Sequence, residues 1–306
     1  MLWGLAGGGR ARQSPGMWKW TKLARIRSLG EWEKRVAGDS DFVIEILPGG
    51  RSMRVNRYSR RREEAEDLRK RFGGAIGKFR HGDWGKGQSV PPPVKIRERL
   101  LLTGETGSEA VGQIGREHPG REVISIPSGM AFGTGGHATT ATCLRMLADI
   151  ARERKWTLGG GAGRADCVAD LGSGSGVLAV AARKLGSGPV WACDFDASAV
   201  AVAKRNIARN RTDGIEVAEC DVLRWEPPKR FDVVMANLFS SVLLEAMPVL
   251  ARALAPGGDL VVSGILREQA WEVFASAAVH GIGFQKVVTR GKWVTARGGR
   301  ADTPGN

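Results

Sequence analysis

Asp170-Leu171-Gly172-Ser173-Gly174-Ser175-Gly176 decides the fold. An apolar stretch over residues 165–171 runs into it as a strand, and an apolar helical pattern over 177–185 leaves it and stops at Gly186. Glycines at such a junction let the backbone turn sharply and come close to a ligand. The helix that follows turns its N-terminus toward that ligand and favours an anionic group such as a carboxylate. A glycine motif alone is weak, because nicotinamide and flavin sites also use one. Two details sharpen it here: the spacing is GxGxG rather than GxGxxG, and an acid, Asp170, precedes the first glycine, where it can accept a hydrogen bond or pair with an ammonium group.

Outward from this loop the chain alternates strands and helices. Helices are expected over residues 139–150, 177–185, 197–210, 242–254 and 268–280. Strands are expected over 165–171, 190–193, 216–219, 231–236 and 259–263, with a closing pair near 285–289 and 293–296. Repeated alternation implies a mostly parallel sheet with helices on both faces. Two last strands with no helix between them imply one antiparallel strand at the end.

Ligands of such sheets bind at the carboxyl ends of the strands, and those ends carry the candidate residues. Asp194 closes the second strand, where an acid can take both hydroxyls of a ribose. Asp196 is its neighbour and rival, better placed to cap the next helix. Asp221 follows the third strand and can reach an adenine amino group, or else is a surface acid. Asn237, at the end of the fourth strand, can offer its carbonyl oxygen to an amine or bond the amino-acid part of a cofactor; its alternative is a helix cap. The segment 129–140, rich in glycine and holding His137, Thr139 and Thr140, can fold over a ligand as a lid or serve as a connector capped by Thr139.

The N-terminal third differs in character. Residues 1–100 carry 23 Lys and Arg against 11 Asp and Glu, a net +12, whereas the rest of the chain carries only +2 of the total +14. A basic face attracts nucleic acid, ribosomes or acidic proteins, so RNA contact by this region is one expectation and an inert soluble surface the other. Strands over 42–47, 52–55 and 75–79, with a helix from a hydroxyl cap at Ser59 to Gly73-Gly74, make a small α/β unit compatible with half of a ferredoxin-like sandwich. The expected organisation is a disordered leader over 1–16, with Met17 a candidate start of ordered chain. A basic α/β domain at 17–80, possible substrate-recognition ground, precedes a Gly/Pro linker at 81–93. A bridging segment at 94–126 has strands near 96–102 and 123–126. The cofactor domain spans 127–300, and a tail spans 301–306. No stretch of about 18 apolar residues suggests a membrane span. The four cysteines form no CxxC pair and the four histidines no zinc spacing, so reduced thiols in the cytoplasm and no metal are expected.

The segments PSGMAFGTGGHATTATCL (127–144), ADLGSGSGVLAVAARKLG (169–186), ACDFDASAVAVAKRNIARN (192–210), FDVVMANLFSSVLLE (231–245) and PGGDLVVSGILREQ (256–269) together resemble the PrmA family. That family methylates large-subunit ribosomal protein number eleven in bacteria. The resemblance covers about residues 93–297, and the combination of FGTGGHATT with SGIL is its most specific part. It implies an α/β class I methyltransferase fold: Rossmann-like, with a seven-stranded, mostly parallel sheet and helices on both faces, plus the small N-terminal α/β domain. It also implies S-adenosylmethionine as cofactor, contacts to it from Thr140, Gly172, Asp194 and Asn237, and methylation of lysine ε-amino groups and an α-amino group of a ribosomal protein. From the residues themselves, Asp170, Gly174, Gly176 and Asp221 join the cofactor set. Asn237 positions the acceptor, and His137 belongs to the lid. The chain departs from the family at Gly136, where Thr is usual, in the LFSS that follows Asn237, and over residues 1–92. Rival readings are methylation of RNA or of another protein, a ribosome-associated module without turnover, and, least suited by the glycine spacing, a nicotinamide oxidoreductase.

Overall fold

The computed structural model describes residues 17–36, 42–47, 51–79, 90, 92–127, 137–157 and 166–300. The expected leader and tail, nearly all of the Gly/Pro linker and the glycine-rich loop 129–136 lie outside the described residues. The chain divides into two compact units, residues 1–88 and 89–306.

The first unit runs β1 (Met17–Arg25), α1 (Leu29–Arg35), β2 (Phe42–Ile46), β3 (Ser52–Ser59), α2 (Arg62–Phe72) and β4 (Ala75–Phe79). Its four strands pair antiparallel in the order β2-β3-β1-β4. That is a complete βαββαβ sandwich, not half of one. The sequence reading missed β1 and α1, although Met17-Trp18-Lys19-Trp20-Thr21 alternates as a strand facing a core on one side does. Trp20 is fully buried and packs with Trp32, Met53, Val55, Ala65 and Leu68. Its indole N–H donates to the Gly73 carbonyl at 2.8 Å, which ties β1 to the end of α2. Ser59 does not cap α2. It ends β3, its hydroxyl donates to the Arg61 carbonyl, and the helix starts at Arg62 with no side-chain cap. Ion pairs of Glu64 with Arg57 and Arg61, and of Arg62 with Glu66, line this helix start.

The second unit opens with β5 (Val94–Ile96), β6 (Leu100–Thr103), α3 (Ser108–Glu117) and β7 (Glu122–Ser125), a three-stranded sheet in the order β5-β6-β7. The single strand expected over 96–102 is thus a hairpin. Three successive charged residues, Arg97-Glu98-Arg99, make the turn, with Arg97 at a φ of 50°. Helix α3 escaped the sequence reading because Gly112 and Gly115 weaken its helical signal. Ile96, Leu100, Leu102, Ile124 and Ile126 bury into the same core as the helices of the main sheet.

That sheet follows as α4 (Ala138–Glu153), β8 (Val168–Leu171), α5 (Val177–Leu185), β9 (Val190–Asp194), α6 (Ala197–Arg209), β10 (Ile215–Glu219), β11 (Phe231–Asn237), α7 (Ser240–Ala253), β12 (Leu254–Leu266), α8 (Ala270–Val279), β13 (Ile282–Arg290) and β14 (Trp293–Arg300). Seven strands take the order β10-β9-β8-β11-β12-β14-β13, all parallel except β14, which runs antiparallel between β12 and β13. The antiparallel strand is therefore last in sequence but second from the edge in space. Both faces are covered, so adjacent residues of one strand bury on opposite sides. Val168, Val233, Met235 and Val261 pack with α4 and α5; Ala169, Leu171, Val234, Ala236 and Val262 pack with α7. The carboxyl ends of β8, β9, β11 and β12 all lie along one edge.

Candidate functional site

The loop leaving β8 is fixed from below by the neighbouring strand. The N–H groups of Gly172 and Ser173 both donate to the Cys193 carbonyl at 2.8 Å. Gly172, Gly174 and Gly176 take φ values of 72°, 53° and 76°, the left-handed region that side chains resist. A Cβ on Gly176 would sit 3.0 Å from that of Ala203 on α6, so the first turn of α5 depends on this glycine.

The two acids at the end of β9 divide their tasks. Asp196 caps α6, accepting from Ser198 N–H at 2.8 Å. Asp194, 8% exposed, accepts from Gly174 N–H at 2.8 Å and from Asp196 N–H at 3.1 Å. One carboxylate thus holds the glycine loop in shape and keeps further lone pairs for a ligand. Asp170 is 1% exposed and accepts from Ala179 N–H at 3.0 Å through one oxygen. Burial, with the nearby Asp194 charge adding to it against the Ala179 hydrogen bond, pushes its carboxyl up to about 7.

Asn237 ends β11, and Leu238 N–H donates to Ser263 on β12. Gly264, at a φ of 83°, lies against this segment so closely that a Cβ would stand 2.2 Å from the Leu238 carbonyl oxygen. Leu238 in turn reaches over Gly172. Thr140 lies in the first turn of α4. His137 caps that helix: its Nδ1 is 2.7 Å from Thr139 Oγ1 and accepts weakly from Thr139 N–H, so His137, not Thr139, is the cap. The His137 ring meets Trp293 edge-on, with 5.2 Å between centroids. Asp221 follows β10 in an exposed turn, where its own carboxylate accepts from Leu223 N–H at 3.0 Å.

Buried polar atoms almost always find a partner. Among the described residues five buried side-chain atoms have none: Thr140 Oγ1, Asp170 Oδ1, Ser173 Oγ, Asn237 Oδ1 and Ser240 Oγ. All five belong to the ends of elements that meet at the carboxyl edge of the sheet. Leaving such an atom dry costs about 1–3 kcal/mol, so the arrangement suits a polar ligand that supplies ammonium, carboxylate and hydroxyl groups. Three of the five were expected from the sequence. Ser173 and Ser240 were not, nor were Phe195 and Phe239, rings 79% and 73% exposed beside Asp194 and Asn237. Two buried acids favour a cationic ligand. Among the described residues no group of three or more His, Cys, Asp and Glu side chains is placed to hold a metal ion, and no helix is long and apolar enough to cross a membrane.

The state of Asp170 predicts a pH-dependent affinity. A cation in this crevice requires the carboxylate, while burial keeps the group largely protonated below about pH 7. Binding of a cationic ligand there should release a proton and strengthen toward pH 7, by up to about tenfold per pH unit below that point, then level off. In the ligand-free protein the raised pKa acts the other way on folding: stability present at acid pH falls as pH rises from about 4 through 7. Calorimetric titration in buffers of different ionisation enthalpy measures the proton release, and an affinity flat from pH 5.5 to 8 (roughly the window set by the shift) contradicts it. Asp170→Asn should remove the slope.

The chain is similar to known proteins over most of its length. The family described as Ribosomal protein L11 methyltransferase (PrmA) matches residues 39–301. The ribosomal protein L11 methyltransferase of Pelobacter propionicus is 41% identical over 203 residues, 66% of this chain and 61% of that protein. That of Rhizobium etli is 37% identical over 206 residues, 64% of each chain. The chain thus spans less than two thirds of the length of either relative. The crystal structure of the ribosomal protein L11 methylase from Lactobacillus delbrueckii subsp. bulgaricus aligns with a TM-score of 0.55 at 26% identity, over 68% of this chain and 98% of that one.

Proposed function

The chain belongs to the ribosomal protein L11 methyltransferase (PrmA) family, and from that premise we propose that it is an S-adenosylmethionine-dependent protein methyltransferase acting on amino groups of ribosomal protein L11, lysine side chains foremost. The observation that carries this reading is the set of five buried polar atoms without partners, among the described residues, at element ends along the carboxyl edge of the sheet. Asp194 would take the ribose hydroxyls while keeping Gly174 in place. Asp170 Oδ1 and Ser173 Oγ would meet the ammonium and carboxylate of the methionine part, with Thr140 closing over them. Gly172 and Gly176 give the backbone the close approach this requires. Asp221, one strand further out, is assigned the adenine amino group. When bound, S-adenosylmethionine supplies an electrophilic methyl group on a sulfonium.

The protein's remaining task is to present an amine without its proton. Asn237 Oδ1, buried and lacking a donor, accepts from an acceptor N–H and so aims the nitrogen lone pair inward. The exposed rings of Phe195 and Phe239 offer an apolar surround, and an amine leaving water for such surroundings loses proton affinity. No side chain is assigned as general base. His137 is assigned to the lid because it anchors the start of α4 against Trp293. The basic N-terminal unit is assigned to substrate recognition, and the protein to the cytoplasm, where ribosomes are methylated.

The test incubates the protein and radiolabelled S-adenosylmethionine with undermethylated large subunits, with their extracted proteins and with their RNA. Label on ribosomal protein L11 that protease removes is the expected result, and Asn237→Ala should lower kcat by about a hundredfold, more than it weakens cofactor binding. Label that nuclease removes, or none at all despite cofactor binding, would overturn the proposal.

A further inference from the structure

A second feature of the catalytic unit lies outside the crevice. Arg145 and Asp149 stand one turn apart on α4. Asp149, 4% exposed, accepts from Arg97 of the β5–β6 turn and from Lys286 of β13, each at 2.8 Å. Lys286, Val288 and Arg290 share one face of β13, and Val288 between them packs against the core that contains α4. Two cations from two elements thus meet on a single buried acid, with Arg145 one turn away on the helix. The next acid along the helix, Glu153, is engaged by Arg297.

Arg145 has no hydrogen-bond or ion-pair partner among the described residues, although it is half-buried. Its burial and the charges of Arg290 and Arg97 beside it push its pKa down. A half-buried guanidinium repelled by its neighbours is costly unless an anion arrives to meet it.

We propose that Arg145, Arg290, Lys286 and Arg97 form a binding strip for the phosphate backbone of RNA. Three of the four are arginines, whose forked donors match phosphate oxygens. Lys286 and Arg290 are four residues apart, about 13 Å along an extended strand, a length suited to a polymer with a charge on every unit. The strip also leads to the active edge: β13 runs parallel to β12, so Arg290 lies at the same end of the sheet as Asn237 and Gly264. The rings of Trp293 and His137, which meet edge-on, lie at that end as well. The inference rests on the proposed function and deepens it, since a ribosomal protein substrate is surrounded by RNA.

The experiment titrates the full-length chain against a fluorescein-labelled RNA hairpin, by anisotropy, between about 50 and 200 mM salt. Arg145→Gln with Arg290→Gln should weaken binding at least about tenfold and reduce the slope of log K against log salt by about 1.5, near 0.7–0.9 for each phosphate no longer neutralised. Affinity for S-adenosylmethionine should stay as it was. Arg290→Gln alone, at an exposed strand end, keeps the test valid if the half-buried site disturbs folding; it should lower the slope by about 0.8. Unchanged affinity and slope in both variants overturn the proposal. So does displacement of the RNA by polyglutamate as efficiently as by unlabelled RNA, which would mark an acidic protein as the occupant. Methylation of isolated L11 without RNA reports on the proposed function alone, so either reading can fail while the other stands.

Discussion

Asp194→Ala should lower the affinity for S-adenosylmethionine by at least about a hundredfold, equivalent to about 2.7 kcal/mol. The carboxylate accepts from two backbone N–H groups, Gly174 and Asp196, in charge-assisted hydrogen bonds worth about 1.5–3 kcal/mol each. Alanine removes the anchor of the loop and the assigned ribose acceptor in one step. Asn is a milder probe: its oxygen can still accept, but its amide nitrogen cannot take the second N–H, so a loss of about tenfold is expected. Calorimetry on protein with an intact melting transition measures both. A dissociation constant for the alanine variant within about threefold of the parent would mean that ribose binding and loop anchoring lie elsewhere.

Gly264→Ala should cost activity more than stability. The residue holds a φ of 83°, and a methyl there would lie 2.2 Å from the Leu238 carbonyl oxygen and 2.8 Å from its carbon. Backbone, not a flexible side chain, must move. Asn237 is the adjoining residue, so the displacement passes directly to the group assigned to aim the acceptor; misplacement on that scale should lower kcat/KM by about a hundredfold. Gly257→Ala separates strain from position. Its φ of 68° is comparable, but nothing stands within 4 Å of the added Cβ, and it lies at the opposite end of β12. Both variants should lose about 1–2 kcal/mol from the left-handed backbone, and only Gly264→Ala should lose turnover. Equal activity of the two in a methylation assay would show that the β12 glycine has no hold on the acceptor segment.

The glycine loop, the sheet and the capping of α6 by Asp196 were legible because each follows from spacing. A glycine run between a strand and a helix can take few shapes, and an acid just ahead of a helix caps it. Elements with conflicting local signals were not legible. Helix α3 carries two glycines, and β1 lay in a stretch dominated by its basic charge, although its tryptophans alternate. The hairpin at Arg97 was hidden by the apolar residues on both sides of its charged turn. Within the site, Ser173 and Ser240 carry no spacing signal at all. A serine becomes informative only when the fold buries its hydroxyl away from every partner, which is a property of the assembled edge and not of its neighbours in sequence.

The position of β14 bears on when the protein becomes competent. This strand lies between β12 and β13 and follows both in the chain, so β13 has no neighbour in the sheet until residues 293–300 exist. Trp293, which meets His137, and Thr295, whose hydroxyl lies 2.6 Å from that of Ser263, arrive in the same final step. The contact of Trp293 with His137 is distant in sequence, and such contacts form slowly. A chain still being translated therefore holds a glycine loop and its acids, but not the finished wall around them.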